Sequence, residues 1–233
     1  MSTATEYYDK TAAQYDALRA NEPEHALALG IGWPLIGGEV HSVLDVGCGT
    51  GRGLSWLAQE YPTLELHGIE PSESMIAIAA KRLASADIRQ GIGERLPFQD
   101  ESIDVVTATG IMHHADNPAL VISEMFRVAR KAVLIGDHNN YAFGGAMTQR
   151  IRIGLKACGL LKAVNYLRQG FNHRGYSEED GWWYPYSLFD NYSDIAKRSS
   201  RLYIFPTRPA VGSLSNILFS QGHFALVAIK ATN

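Results

Sequence analysis

Val43-Leu44-Asp45-Val46-Gly47-Cys48-Gly49-Thr50-Gly51 is the stretch that decides the fold. An apolar, strand-forming run leads straight into alternating glycines, and a helix-forming stretch follows to Glu60. Glycine lacks a Cβ and adopts positive φ, so the chain can turn sharply there and bring its backbone close to a ligand. The helix beyond offers N–H groups without intrahelical partners and a partial positive charge. The spacing is G-x-G-x-G, whereas dinucleotide-binding loops read G-x-G-x-x-G. The sixth position is Arg52 counted from Gly47 and Leu54 counted from Gly49. No basic residue stands at the loop start to meet a pyrophosphate, and Asp45 lies two residues before it. That pattern suits a nucleoside with an amino-acid tail.

Working outward, Glu70 closes the second strand candidate, in Gly68-Ile69-Glu70-Pro71-Ser72. An acid at that place accepts hydrogen bonds from both hydroxyls of a ribose in nucleotide-binding α/β folds. From Val43 onward, strand and helix patterns alternate. Strands are expected at Ser42–Val46, Leu64–Ile69, Ala86–Gln90, Asp104–Thr109 and Ala132–Asp137, and helices at Gly51–Glu60, Ser72–Ala84 and Asn117–Arg130. Ser72 is placed to cap the second of these helices. Such alternation implies parallel strands with helices on both faces. Arg201–Pro206 and His223–Lys230 read as two late strands forming an antiparallel edge, joined by a long connection holding Pro209, Gly212 and Ser213.

The expected fold is therefore α/β: a doubly wound, mostly parallel, seven-stranded, Rossmann-like sheet with an antiparallel edge and an inserted cap. Its parts are a helical N-terminal extension over 1–40, a core over 41–138, a cap over 139–200, and C-terminal strands over 201–233 that complete the sheet.

Composition bounds the function. With 46% hydrophobic and 19% charged residues, the 233-residue chain can bury a substantial core. A net charge of −3 argues against a surface that is one nucleic-acid footprint. No signal-type run opens the sequence and no long apolar run follows, so a soluble, cytoplasmic protein is expected. Two distant cysteines, Cys48 and Cys158, have no metal-ligand spacing, and no metal is expected.

These motifs, in this order, resemble those of class I S-adenosylmethionine-dependent methyltransferases, notably the group acting on small molecules and lipids. Beside Val43–Gly51 and Gly68–Met75, the resemblance takes in Tyr8-Asp9 through Tyr15-Asp16, Gly91–Asp104, Thr109–His114 and Glu124–Lys131. It implies S-adenosyl-L-methionine as cofactor and a set of roles. Asp45 and Gly47 would hold the methionine end, with Cys48 in the loop and Gly49 and Gly51 allowing close approach. Glu70 would bind the ribose; Pro71, Met75, Ile92 and Gly93 would surround adenine. Thr109 would meet the cofactor tail, and Tyr15 would cover the sulfonium. Many family members carry an acid where Ile92 stands, and Ile92 can only pack on the ring. The Pro-Gly-Gly usual before the fifth strand is replaced by Arg130-Lys131-Ala132.

Methyl transfer to a hydroxyl needs a base, and histidine titrates near neutral pH. The candidates at the strand ends are His138, Asp137 and His114, with His113 as the neighbour in the pair. The insert has two halves. Met147–Arg174 carries six basic residues and no acid among its apolar ones, a pattern suited to an anionic substrate or lipid surface. Gly175–Tyr192 is aromatic and suits a sugar or ring substrate. The expected activity is methylation of a small-molecule hydroxyl: sugar, polyketide-like or lipid-linked. The competing readings are a non-catalytic partner protein of the same fold, a tRNA or RNA methyltransferase, and a nicotinamide oxidoreductase. The glycine spacing opposes the last. Thr109-Gly110-Ile111-Met112, where an asparagine-proline motif would stand, and basic residues confined to the insert argue against nucleic acid as a partner. The oligomeric state is left open.

Overall fold

Burial on both faces shapes the central strands. In the computed structural model, which describes residues 3–20, 23–142, 144–178, 180–207 and 222–231, all five residues of β1 (Ser42–Val46) are buried. Their side chains alternate between two cores. Leu44 and Val46 join Val106, Val133 and Ile135 on one face, while Val43 joins Val105, Leu134 and Val227 on the other. Strands β2 (Glu65–Glu70), β3 (Asp87–Gln90), β4 (Ile103–Thr109), β5 (Ala129–His138), β8 (Ser199–Pro206) and β9 (His223–Lys230) complete the sheet. The spatial order is β3-β2-β1-β4-β5-β9-β8. The seven strands and the antiparallel edge pair are those expected from the sequence, and β9 is the strand that runs against its neighbours on both sides. The expected connection through Pro209, Gly212 and Ser213 lies outside the described residues.

Helices α3 (Arg52–Glu60), α4 (Glu73–Arg82) and α5 (Pro118–Val128) join the parallel strands. Ser72 caps α4, its hydroxyl accepting from the Met75 N–H at 3.2 Å, and Asn117 caps α5 in the same way. The expected helix to Arg130 stops at Val128, and β5 begins three residues early. Ala129 pairs with Ile103 through a register irregularity, and Arg130 and Lys131 reach back to buried Asp104, at 2.8 and 3.2 Å.

The N-terminal segment divides in two. Helix α2 (Glu24–Ile36) packs Ala28, Leu29 and Trp33 into the core over β5 and β9. Helix α1 (Thr3–Leu18) instead crosses the carboxyl ends of the strands, touching α4. The insert forms α6 (Ala146–Ala157), α7 (Leu161–Arg168), a hairpin of β6 (Gly175–Ser177) and β7 (Gly181–Trp183), and α8 (Tyr192–Lys197). No helix among the described residues is long and apolar enough to cross a membrane. In open α/β sheets a ligand sits where strand order reverses, here beyond the ends of β1 and β4.

Candidate active site

Two adjoining cavities open at that switch point, of about 460 and 520 Å³, and they share Tyr8, Tyr15, His25 and Gly110 as walls. The first is built on the glycine loop. The N–H groups of Gly47 and Cys48 both donate to the Ile69 carbonyl, at 2.7 and 3.1 Å, tying the loop to the end of β2. Gly47 has φ +71°, and a Cβ there would fall 2.4 Å from Ile111 Cγ2. Gly47→Ala combines backbone strain with that clash. It is expected to lower stability by about 1–3 kcal/mol, read as a drop in chemical-denaturation midpoint; an unshifted midpoint would remove the constraint.

Eleven of the twelve residues expected to hold a cofactor line this first cavity: Tyr15, Asp45, Gly47, Cys48, Gly49, Glu70, Pro71, Met75, Ile92, Gly93 and Thr109. Gly51 does not. Its φ is +79° and its missing side chain lets Ala79 of α4 approach. Cys48 contributes backbone, because its thiol is buried under Gly68. Glu94, unassigned in the sequence reading, brings a carboxylate to the cavity near Ile92, and its Oε1 accepts from the Asn117 N–H at 3.2 Å.

The decisive feature of this cavity is a pair of buried carboxylates. Glu70 accepts from the Ser72 and Gly49 N–H groups at 2.9 and 3.0 Å, one on each oxygen. Asp45 accepts from the Thr107 hydroxyl at 2.7 Å. Burial pushes both acids up to about 7 despite these donors. Neither has a cationic partner among the described residues. The site therefore fits a ligand that brings donors to Glu70 and a cation to Asp45, and apart from Gly49 and its chain neighbours no atom of the described residues lies within 4 Å of where a Gly49 Cβ would be.

Helix α1 is pinned over the loop. Asp9 accepts from the Ser72 hydroxyl at 2.6 Å, and Asp16 accepts from Thr50 Oγ1 at 2.6 Å and pairs with Arg82. This places Tyr8 and Tyr15 edge-to-face, 6.0 Å apart, at the junction of the cavities. The Arg19 guanidinium sits 5.7 Å from the Tyr15 ring centre.

The second cavity takes its wall from the ends of β4 and β5 and from the insert. Asp137 is fully buried, and its carboxylate is already engaged. It accepts from Met112 N–H at 2.8 Å and His138 N–H at 2.6 Å, and holds His113 Nδ1 at 2.7 Å. Both oxygens are turned to these partners, and Asp137, expected among the bases, lines neither cavity. His113 Nε2 faces Asp180 at 3.2 Å. Burial alone pushes His113 down, but Asp137 and Asp180 outweigh it and lift the imidazolium to about 10. His114 is fixed differently. Its Nδ1 lies 2.8 Å from the Trp182 carbonyl, which can only accept, so the proton is on Nδ1 and Nε2 accepts from the Tyr8 hydroxyl at 2.8 Å. Burial, then the neighbouring His113, holds it below the usual histidine range. Its lone pair is thus committed to Tyr8. His138 lines the second cavity with its side chain 30% exposed.

Asp180, Tyr8 and Arg152 complete this wall and were not singled out from sequence as site residues. Tyr8 meets His114 across 106 positions and Asp180 meets His113 across 67, separations at which no local spacing signals a contact. The insert's cations also divide: Lys156 pairs with Asp190 and Arg174 with Asp116, while Arg150, Lys162 and Arg168 are exposed.

Residues 44–135 match the family model described as a methyltransferase domain. A demethylmenaquinone methyltransferase from Thermotoga maritima is 34% identical over 89 residues, covering 38% of this chain and 39% of that protein. The first curated relatives are spanned over 24%, 39% and 56% of their own lengths. Among solved structures, an S-adenosylmethionine-dependent methyltransferase from Thermotoga maritima, described as a possible histamine N-methyltransferase, superposes with a TM-score of 0.61 at 17% identity, covering 97% of this chain and 99% of that one. A phosphoethanolamine N-methyltransferase from Haemonchus contortus, solved with S-adenosylmethionine, gives 0.65 at 16% identity, covering 100% of this chain and 61% of that one.

Proposed function

We infer, from the premise that this chain carries a class I S-adenosylmethionine-dependent methyltransferase domain, that it methylates a hydroxyl oxygen of a small molecule held in the second cavity. One observation carries the reading: a cavity with two buried carboxylates that have no cationic partner among the described residues adjoins a cavity walled by histidines. Glu70 would accept from the ribose hydroxyls and Asp45 from the methionine ammonium. Pro71, Met75, Ile92 and Gly93 would enclose adenine, with Glu94 offering its amino group the carboxylate that Ile92 lacks. S-adenosylmethionine, when bound, supplies a methyl group already activated by its sulfonium.

What the chain must add is alignment, dryness and a proton acceptor. Tyr8 and Tyr15 close the junction and exclude water, and alignment alone contributes several kcal/mol. His113, protonated between two carboxylates, is a poor base. His138 takes the acceptor's proton in this reading, a role that typically contributes about 10²- to 10⁴-fold. A radiolabelled methyl-transfer screen over sugar, polyketide and lipid-linked extracts tests the activity. With an acceptor in hand, His138→Gln is expected to lower kcat about 10²-fold and to leave S-adenosylhomocysteine affinity unchanged. An unaltered kcat would remove His138 as base.

The insert also favours a lipid surface. Met147, Ile151, Leu160, Leu167 and Phe171 are exposed, up to 77% for Met147, beside exposed Arg150, Lys162 and Arg168. Apolar side chains ringed by cations are the pattern of helices that lie on anionic membranes. Co-sedimentation with phosphatidylglycerol vesicles is expected, abolished by Leu167→Ser with Phe171→Ser. Equal recovery with neutral phosphatidylcholine, or none with either, would contradict it.

A further inference from the structure

Arg152 is the cation of the insert that faces inward. It comes from α6 and lines the second cavity. Its Nη1 donates to the Asn140 carbonyl at 2.9 Å and to Asn140 Oδ1 at 2.7 Å. Both acceptors are neutral. Its Nε is buried and has no acceptor, and no carboxylate pairs with it among the described residues. The charge that bears on it is another cation, Arg168. The other arginine of this cavity shows the contrast, since Arg19 is matched to Asp180 at 2.6 Å.

A guanidinium taken partly out of water without a counter-charge is costly, and a buried donor left unmade adds to that cost. Two guanidiniums held near one another add repulsion. The arrangement is stable in isolation only at the expense of the fold, and it is relieved when a ligand brings an anion. Guanidinium is the group best matched to carboxylate and phosphate oxygens, which it can meet with two parallel hydrogen bonds.

We propose that Arg152 is an anion subsite of the acceptor cavity, oriented by Asn140, and that the methyl acceptor carries an oxyanion, phosphoryl or carboxylate, besides its hydroxyl. Asn140 follows His138 by two residues at the end of β5, so the anion anchor and the proposed base stem from one short segment. The anion fixes one end of the acceptor and the hydroxyl is presented at the junction of the cavities. This subsite rests on the reading of the second cavity as the acceptor site.

The test is titration of the protein, saturated with S-adenosylhomocysteine, with glycerol 3-phosphate, acetate and uncharged glycerol, followed by calorimetry and ligand-observed NMR. Glycerol 3-phosphate or acetate is expected to bind and glycerol not, the tighter anion naming the group. Arg152→Gln is expected to weaken that binding at least tenfold, with Arg152→Lys intermediate. Lys197→Gln, at an exposed cation of α8 that does not line the cavity, is expected to leave it unchanged. Retained S-adenosylhomocysteine affinity in Arg152→Gln shows that the variant is folded. Binding of glycerol equal to the anions, or anion binding untouched in Arg152→Gln, overturns the subsite while leaving the methyltransferase reading intact. Failure of S-adenosylhomocysteine itself to bind overturns both.

Discussion

Glu70→Ala lowers the affinity for S-adenosylhomocysteine at least tenfold. The carboxylate is the acceptor offered to two ribose hydroxyls, and charged hydrogen bonds contribute about 1.5–3 kcal/mol each. Its removal also frees the Gly49 and Ser72 N–H groups that it now holds, so the glycine loop loses an anchor as well. The same residue gives a pH dependence. Burial raises Glu70 and Asp45 to about 7. For an acid raised on folding, the favourable contribution to apo-protein stability is fully present below its unfolded value near 4. It fades as pH rises through about 7. Ligand donors favour the ionised form, so affinity is expected to strengthen from pH 6 to pH 8 with release of protons. Calorimetry in buffers of different ionisation enthalpy measures both. An affinity equal in Glu70→Ala and the unaltered protein removes the ribose role.

Asp137→Asn is expected to be the most destabilising single change at the second cavity, by about 3–5 kcal/mol, because it breaks a fully buried pair and leaves the other charge behind. The sign with pH follows from each partner. His113 is raised on folding, so its contribution is complete below its unfolded value near 6.5 and is lost as pH climbs through about 10. Asp137 is held well below the usual carboxylate range, burial opposing and His113 outweighing it. Its contribution is present above about 4 and lost only in strong acid. The gap between the two proteins in guanidinium denaturation is therefore widest from about pH 4 to 6.5, and closes toward pH 10. A gap of equal size at pH 6 and pH 10 would contradict an imidazolium held between Asp137 and Asp180.

Much of the fold was legible because its signals are local. Ser42–Val46 and His223–Lys230 stand where hydrophobic runs put them, and the Ser72 cap needs only the three residues after it. The start of β5 was missed because Ala129 enters the sheet by pairing with Ile103, and Asp104 draws Arg130 and Lys131 with it. Neither partner lies in the helical window that the sequence presents. In the first cavity the motif residues converge since they close three neighbouring strands. Gly51 is the exception: it does not line the cavity, and its positive φ and the close approach of Ala79 already call for a glycine there. The second cavity was hardest to read. Asp137 and His114 stood at the right strand ends, yet each is spoken for, by His113 and by Tyr8. Asp180, which completes the wall, comes from an insert that no strand pattern positions.

The most direct measurement is a crystal structure of the protein with S-adenosylhomocysteine. Ribose hydroxyls are expected on Glu70, the amino-acid end at Asp45 and Gly47, and the sulfur turned to the junction where Tyr8 and Tyr15 meet the second cavity. Adenosine bound elsewhere, or a ribose without contact to Glu70, would contradict it.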